Sequence, residues 1–306
     1  MTEIFQKLFG GRKSKEEIRD VPTIPISEED AESVAQLFIG SDRQSKLPKM
    51  NVGFSQSVGR QRDHNEDALF TLTTNLASNQ RFEPLGLFIV ADGMGGHKHG
   101  EIASELAIRV IVARIMQKII ISLVSPKPSP PEDSIQEILQ ESVQEAHHTI
   151  LEDAPGSGTT LTAVLLWNEQ MSIAHVGDSR AYTISSNGKT QTLTRDHSLV
   201  MRMMELGQLS PEEAAVHPQR NVLYRALGQG EPFKPDITTS PLPKSGYLLL
   251  CSDGLWGLVP DDEISRMVIS STSPQAACEA LVDAANAAGG PDNITAILIH
   301  LPDRTD

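Results

Sequence analysis

The sequence is poor in cysteine, aromatic residues and basic charge, and each shortage argues against a class of protein. Two cysteines among 306 residues, Cys251 and Cys278, cannot build a disulfide framework or a Cys-rich zinc site, which favours a reducing cytoplasm. Lysine and arginine number 26 against 40 acidic residues, and the net charge of −14 repels nucleic acid and anionic lipid. Aromatic residues make up 4%, with no cluster suited to stacking bases. We therefore expect a cytoplasmic protein with no nucleic-acid or membrane partner, and we take it to be a monomer.

Long hydrophobic runs are also absent. The most apolar long stretch, residues 106–124, is interrupted by Arg109, Arg114 and Lys118, which a membrane-spanning helix would not tolerate at those depths. The first 13 residues hold no apolar segment long enough for a signal peptide, so we expect no export. The stretch 106–124 instead predicts an amphipathic helix with one buried face.

What the sequence does contain changes character at about residue 50. Residues 1–50 are rich in charge, serine and proline and show no sustained period of 2 or 3.6, which predicts a flexible N-terminal extension. Residues 51–303 are the predicted folded domain. Its β-rich runs predict strands at 52–58, 68–72, 87–91, 160–167, 171–176, 181–184, 247–251 and 294–301.

Helical patterns lie between these strands. Helices are predicted at about 101–124, 134–152, 197–205, 210–213 and 275–288. Ser134 and Glu137 form a capping box at the start of the second helix, and we expect His147 and His148 on its surface. Blocks of strands and pairs of helices favour an α+β fold, with helices packed on antiparallel sheets, over a parallel βαβ arrangement.

Acidic residues recur where the apolar strands begin or end, several of them beside glycine. They are Glu66 and Asp67, Asp92, Asp178, Asp253 and Asp292. A single Asp-Gly pair is commonly only a turn. A buried carboxylate is costly unless it is paired or bound to a cation, so this repeated pattern in one domain indicates divalent metal. Oxygen ligands without cysteine or an obligatory histidine select Mg²⁺ or Mn²⁺ over Zn²⁺, and glycine lets a backbone carbonyl approach as a ligand.

Other common catalytic motifs fail. The stretch GSGTT at 156–160 looks like a phosphate-binding loop, but no lysine follows it and it leads into a strand. Neither G-x-S-x-G nor H-E-x-x-H occurs, and DGMGG at 92–96 does not match G-x-G-x-x-G. These absences argue against the common serine hydrolase, zinc protease and nucleotide-binding types of site.

Eight short motifs together resemble a known family. They are R-D-H-N-E-D (62–67), A-D-G-M-G-G-H (91–97), G-T-T (158–160), G-D-S-R (177–180), D-H-S (196–198), R-A-L-G (225–228), S-D-G-L-W (252–256) and P-D-N-I-T (291–295). In this order, and over residues 52–301, the sequence is similar to the bacterial form of the metal-dependent protein Ser/Thr phosphatases of the protein phosphatase 2C type. The resemblance implies an α/β/β/α four-layer sandwich, two antiparallel sheets flanked by helices, with a dinuclear metal site at one end. It also implies hydrolysis of phosphoserine and phosphothreonine esters in phosphoprotein substrates.

The resemblance assigns a ligand set for two Mn²⁺ or Mg²⁺ ions. The implied ligands are Glu66, Asp67, Asp92, Gly93, Asp253 and Asp292. Asp92 would bridge the ions, and Glu66 and Asp67 would ligate directly or through waters. Two ions roughly 3.5–4 Å apart lower the pKa of a bridging water, so the implied nucleophile is a metal-bridging hydroxide. Asp67 and Asp92 are therefore predicted catalytic residues.

Two further residues complete the predicted site. Arg62, also assigned as catalytic and substrate-binding, would hold two phosphate oxygens with its planar fork, the alternative being a surface salt bridge. Asp178 lies beside the ligand set without being needed for it, and like-charge repulsion from Asp253 would be relieved by a cation between them. Bacterial relatives hold a third, weaker metal at that position, so we assign Asp178 to it as a hypothesis. The alternative is that Asp178 only pairs with Arg180 or caps a turn.

The chain departs from the eukaryotic members of the family at Met94, where they carry a histidine proposed as general acid. That role does not transfer, and His97 and His99 are either proton donors or bystanders. Residues 201–221 match the family's flap, a variable segment that touches substrate. Its methionines at 201, 203 and 204 are adaptable contacts or core packing, and we expect at least two of them in the core.

Two other functions remain open from the sequence. A phosphatase-like binding module could have kept the fold and lost its metals, but every ligand position is still acidic. A two-metal hydrolase of small phosphoesters, such as nucleotides, would use the same residues. Comparing phosphate release from phosphopeptides and from nucleotides separates this last reading from a protein phosphatase.

Overall fold

Two antiparallel sheets with helices on their outer faces make up the part of the chain that the structure describes. This computed structural model describes residues 50–78, 81–95, 99–125, 129, 131–167 and 169–301, with the backbone only at 76–78, 81–83 and 99. The predicted N-terminal extension, apart from Met50, lies outside the described residues. The helix and strand bounds below therefore belong to the predicted domain.

Each sheet is formed by strands that are distant in the sequence. The first, here called sheet A, contains β1 (Asn51–Ser57), β7 (Arg180–Ile184), β8 (Thr190–Thr192), β10 (Gly246–Cys251) and β11 (Ile294–Leu301), in the order β1-β11-β10-β7-β8. Sheet B contains β2 (Asp67–Ser78), β3 (Arg81–Met94), β5 (Leu161–Trp167), β6 (Gln170–Val176) and β9 (Asp236–Pro241), in the order β2-β3-β5-β6-β9. The short strand β4 (Gly158–Thr159) pairs with the end of β3. All pairings within the two sheets are antiparallel, as predicted.

The helices connect and cover these sheets. They are α1 (His99–Ile115), α2 (Ile121–Val124), α3 (Ile135–Asp153), α4 (Leu199–Glu205), α5 (Pro211–Ala215), α6 (Asp253–Trp256), α7 (Asp261–Ser270) and α8 (Pro274–Ala287). A π-helical turn, Met116–Ile120, joins α1 to α2. None of the described helices has the length and apolarity needed to cross a bilayer.

Three hydrophobic clusters hold the four layers together. Strand β3 shows how, because its side chains alternate between two buried faces. Leu87 and Ile89 pack with α1 and α3, whereas Phe88 and Val90 pack between the two sheets. A third cluster joins sheet A to α6, α7 and α8. Burial on both faces explains the continuous apolar run of β3, and the four-layer fold class is confirmed.

The register of the strands brings the acidic strand ends together. Asp67 and Asp92 stand opposite each other where β2 begins and β3 ends. In sheet A, Cys251 at the end of β10 pairs with Arg180 at the start of β7, and with Ala296 near the start of β11. Because neighbouring antiparallel strands run in opposite directions, the start of one strand meets the end of the next. The candidate site therefore forms at one end of the sandwich.

Several local predictions need correction. Strands β4, β8 and β9 were not predicted, because they are short or polar. Helices α6 and α7 were also missed, because α6 is a single turn within the motif S-D-G-L-W and α7 begins directly after Pro260. The first long helix is not uniform, since its hydrogen bonding changes at the π-helical turn. The three flap methionines are half-buried rather than in the core, because α4 buries no residue fully.

His147 was predicted on the helix surface, and this was wrong. Its side chain is fully buried and accepts a hydrogen bond at Nδ1 from the backbone N–H of Gly228 at 3.1 Å. Its ring stacks on Phe233, with ring centroids 4.0 Å apart. The neighbouring His148 is exposed, as predicted. Helical periodicity alone did not show which of the two histidines is buried. The loop that covers His147 comes from a distant part of the chain, which the periodicity of one helix does not report.

The capping box of α3 gives a test of local stability. The Ser134 hydroxyl accepts from the Glu137 N–H, and the Glu137 carboxylate accepts from the Ser134 N–H. We expect Ser134→Ala to lower the free energy of unfolding by about 1 kcal/mol, because it removes the hydroxyl that caps the helix. Urea denaturation monitored by circular dichroism measures this. Ser186→Ala, in an exposed turn, is the matched control, and an equal stability loss in both variants would contradict the role of the cap.

Candidate active site

The acidic strand ends surround a cavity of about 440 Å³. Of the residues predicted for the site, Arg62, Glu66, Asp92, Gly93, Asp178, Asp253 and Asp292 line it. Asp67 does not line the cavity but lies opposite Asp92 in the β2–β3 pair. The structure therefore brings all the predicted site residues to one place.

The backbone N–H and carbonyl of Asp92 are both held by the G-T-T motif. Its N–H donates to the Thr160 hydroxyl at 2.9 Å. Its carbonyl accepts from the Thr160 N–H and from the Thr159 hydroxyl, each at 2.9 Å. The G-T-T motif thus fixes the central carboxylate of the site and does not form a phosphate-binding loop.

Asp67 is held by two hydroxyl groups from the opposite sheet. Its Oδ2 accepts from Ser252 Oγ at 2.8 Å and from Thr295 Oγ1 at 2.6 Å. The Thr295 N–H also donates to Ser252 Oγ, so the two hydroxyl residues support each other. Neither was assigned a role from the sequence, although each lies within a motif that contains a predicted ligand. The available signal was their place in the sequence: Ser252 directly precedes Asp253, and Thr295 is the second residue of β11, in the same motif as Asp292.

Asn293 fixes the loop that leads to Glu66. Its Oδ1 accepts from the Glu66 N–H at 2.7 Å, and its Nδ2 donates to the carbonyls of Val58 and His64, each at 2.9 Å. Because Asn293 follows Asp292 in the chain, one short segment supplies a carboxylate and positions another. Sequence reasoning also left this side chain without a role.

Two glycines allow the backbone to approach the carboxylates closely. The Gly93 N–H donates to the Glu66 carbonyl at 3.1 Å, and a Cβ at Gly93 would lie 2.2 Å from the Gly100 carbonyl oxygen. A Cβ at Gly100 would lie 2.8 Å from Glu66 Oε1. Any side chain at these positions would push the loop away from the cavity, which explains the need for glycine.

The carboxylates of the site raise one another's pKa values. Burial raises the pKa of Asp67 to about 7 and that of Asp253 to about 6, and the charges of neighbouring aspartates add to both shifts. Burial, followed by the charge of Asp67, raises the pKa of Asp92 well above its usual range. Grouped, buried carboxylates of this kind need positive charge to remain ionised.

The donor set fits hard divalent cations. Glu66 Oε1, Asp67 Oδ1 and Asp253 Oδ1 are buried and receive no hydrogen bond from the described residues. Within the described ranges, no three His, Cys, Asp or Glu side chains are arranged closely enough to hold an ion by themselves. A carbonyl and waters would therefore have to complete the coordination, as Mg²⁺ commonly requires. All-oxygen donors favour Mg²⁺ or Mn²⁺ over Zn²⁺.

Arg62 lies at the mouth of this cavity. Its Nη2 donates to Asp292 Oδ2 at 2.8 Å, and its side chain is 47% exposed. Partial burial works to lower the pKa of Arg62, but the charge and hydrogen bond of Asp292, together with the charges of Glu66 and Asp92, outweigh this effect and the pKa is raised. One N–H of the fork is thus used by Asp292, and the guanidinium still faces the cavity.

Asp178 is buried at the side of the cavity, and Arg180 is not its partner. The Arg180 guanidinium donates to both carboxylate oxygens of Asp196, at distances of 2.7 to 3.3 Å. Burial raises the pKa of Asp178 well above its usual range, and the charge of Asp253 adds to the shift. The alternative that Asp178 pairs with Arg180 is therefore wrong, and the other alternative, that Asp178 only caps a turn, stays open.

Met94 and the end of the predicted flap also line the cavity. Asn221 is the last residue of that predicted segment, and Leu223, which also lines the cavity, lies two residues beyond it. His64 also lines the cavity, with Nε2 3.5 Å from Glu66 Oε1. His97 and the side chain of His99 lie outside the described residues.

Comparisons with known proteins agree with this geometry. The family Protein phosphatase 2C matches residues 51–294. The Serine/threonine phosphatase stp of Listeria welshimeri is 37% identical over 251 residues, 82% of this chain and 96% of that protein. The structure of Serine/threonine phosphatase Stp1 from Staphylococcus aureus is 32% identical, with a TM-score of 0.69, and covers 85% of this chain and 98% of that one.

A second structure contains metal. The catalytic domain of the serine threonine protein phosphatase PstP, in complex with two manganese ions, is 28% identical with a TM-score of 0.65. The match covers 83% of this chain and 100% of that one. The family expected from the eight motifs is confirmed by these matches: the chain belongs to the protein phosphatase 2C family.

Proposed function

We propose that this chain is a metal-dependent serine/threonine phosphatase that hydrolyses phosphoserine and phosphothreonine esters in phosphoproteins. The observation that carries the proposal is a cavity with buried, unpartnered carboxylate oxygens on its inner side and one arginine at its mouth. The carboxylate oxygens suit divalent cations, and the arginine suits a phosphate group. Relatives named serine/threonine phosphatases match over four-fifths of the chain, which supports the same activity here. We assign the catalytic domain to residues 51–303.

Six residues would hold two Mn²⁺ or Mg²⁺ ions. They are Glu66, Asp67, Asp92, Gly93 through its carbonyl, Asp253 and Asp292. When bound, such a pair of ions makes a water molecule more acidic and neutralises charge on the phosphate. Asp92 would take the central position, because its backbone is held by Thr159 and Thr160, whereas the Asp67 carboxylate is fixed by two hydroxyl groups.

Arg62 orients the phosphate ester. Because Asp292 takes one N–H of the guanidinium, it fixes the plane of the fork, and the remaining N–H groups are free to face phosphate oxygens. Positive charge at the cavity mouth also offsets the repulsion between an incoming phosphate and the carboxylates. Met94 and Leu223 supply the apolar part of the wall, against which the aliphatic part of the phosphoresidue can lie.

A metal-free binding module fits the site less well. Without cations, several buried carboxylates would repel each other and carry oxygens with no donor, which is costly. Ser252, Asn293 and Thr295 form a polar scaffold that keeps these carboxylates in place despite the repulsion between them. A fold that had lost its metals would have no reason to retain such a scaffold.

Removal of metal should abolish activity. We expect chelation to stop phosphate release from a phosphothreonine peptide, and Mn²⁺ or Mg²⁺ to restore it, because the carboxylates need the cations' charge. Asp92→Asn should reduce activity more than His97→Ala or His99→Ala, since it removes the charge and one of the two oxygens of the proposed bridging ligand. Activity that survives in metal-free protein would refute the mechanism. Faster release from nucleotides than from phosphopeptides would favour a small-phosphoester hydrolase.

Arg62→Ala should weaken phosphate-ester binding while two tight ions remain bound. Losing a hydrogen bond to a charged group costs about 1.5–3 kcal/mol, which corresponds to a loss of roughly 10- to 150-fold in kcat/KM. Arg62→Lys is the matched variant, because it keeps the charge and loses the planar fork. Steady-state kinetics on a phosphopeptide and elemental analysis of bound metal measure the two effects. Unchanged KM and kcat in the alanine variant would show that Arg62 does not hold phosphate.

Asp178→Ala should keep the two tight ions but lower turnover and raise the Mn²⁺ concentration needed for half-maximal rate. The physical reason is that Asp178 and Asp253 repel each other unless a third cation lies between them. Asp63→Ala is the matched control, because it removes an exposed carboxylate from the same cavity. Loss of all metal would place Asp178 in the two-ion site, and a titration identical to the parent's would mean that no third site exists.

A further inference from the structure

The backbone of Asp178 is held by a residue with no assigned function. The indole Nε1–H of Trp256 donates to the Asp178 carbonyl at 3.0 Å, across 78 residues of sequence. Asp178 itself is only 7% exposed, so its backbone and side chain both lie in packed surroundings. The orientation of the Asp178 carboxylate therefore depends on how this segment is anchored.

Trp256 is itself held firmly. Its ring lies under the Arg180 guanidinium, with Arg180 Cζ 3.5 Å from the ring centroid, a close cation–π contact. Arg180 is locked in turn by Asp196 and by the Tyr182 hydroxyl, to which its Nη1 donates at 3.1 Å. The indole thus has little freedom to turn its N–H away from Asp178.

Trp256 also belongs to the same helical turn as a proposed metal ligand. Helix α6 begins at Asp253 and ends at Trp256. A single turn therefore carries one carboxylate directly and fixes the position of the other through the indole N–H. Because Asp178 and Asp253 repel each other, a segment without this anchor would turn the Asp178 carboxylate away from Asp253.

We propose that Trp256 is a positioning residue, which sets the distance between the Asp178 and Asp253 carboxylates so that a divalent cation can bind between them. This inference rests on the proposed third-cation site at Asp178. Trp256 contacts neither phosphate nor the cation itself. We expect loss of the N–H to affect the weaker cation alone, because this hydrogen bond goes to Asp178 and the anchors of Asp67 and Asp92 involve other residues.

Calorimetric titration with Mn²⁺ tests this on the full chain. Trp256→Phe keeps an aromatic ring under Arg180 and removes the N–H donor together with one ring of the indole, a loss of volume that the control variant Trp167→Phe shares. We expect unchanged affinity for the two tight ions and about tenfold weaker binding of the third, the lower end of the range for a residue that orients a metal ligand. Trp167→Phe is the matched control, since Trp167 Nε1 has no hydrogen-bond partner among the described residues. Weak-site affinity equal to the parent's in Trp256→Phe would overturn the proposal.

Fluorescence gives a second readout that needs neither activity nor a change at Trp256. The chain has two tryptophans, so Trp167→Phe leaves Trp256 as the only one. Paramagnetic Mn²⁺ bound beside Asp178 should quench Trp256 in a weak binding phase that follows the tight one. Adding Asp178→Ala to this variant should remove the weak phase. If the weak phase persists in the double variant, the cation is not bound by Asp178 and the proposal is wrong.

These outcomes separate this inference from the proposed function. Tight binding of two Mn²⁺ ions with phosphatase activity, together with an unaltered weak site in Trp256→Phe, would refute only the role of Trp256. A parent protein with two tight ions and no weak phase would overturn both that role and the third site, while leaving the phosphatase mechanism standing. A parent that binds no Mn²⁺ would refute the proposed function itself.

Discussion

Mutual repulsion among buried carboxylates is the constraint around which this end of the sandwich is built. Asp67, Asp92, Asp178 and Asp253 lie close enough for their charges to raise one another's pKa values, and burial strengthens the effect. Left to themselves, such groups would separate or take up protons. They stay together because their backbones and oxygens are tied to groups that cannot move away. Holding these carboxylates together costs stability, and in the function that we propose it forms the cation site before a cation binds.

The hydrogen bonds that hold these carboxylates come from both sheets. They can form because the antiparallel register brings the strand ends of the two sheets to the same end of the sandwich. Asp67 starts a strand of sheet B, yet the two hydroxyl groups that hold it belong to the segments at the ends of β10 and β11 in sheet A. Buried clusters on both faces of each sheet keep these strand ends at constant separation. Because the packing beneath the cavity is rigid, short polar side chains such as Ser252 and Thr295 can hold the carboxylates in position.

Much of this organisation was predictable from local pattern. The eight predicted strands are all present, and the capping box of α3 has both of its hydrogen bonds, because alternation and capping depend on near neighbours. Predictions failed where distant contacts decide the outcome. His147 is buried because a loop 81 residues further along the chain covers it. The short polar edge strands β8 and β9 exist because a neighbouring strand offers them hydrogen bonds.

The sequence by itself determined the chemistry of the site: oxygen donors, glycines that let backbone approach, and an arginine suited to phosphate. It also determined the family, since the eight motifs occur in order. Only the tertiary structure decided which charged groups are partners. Arg180 is two residues from Asp178 but pairs with Asp196, Arg62 pairs with Asp292, and Trp256 anchors Asp178. The physical reason is that a side chain's partner depends on distance and burial in space, and the strand register that sets both joins segments far apart in the chain.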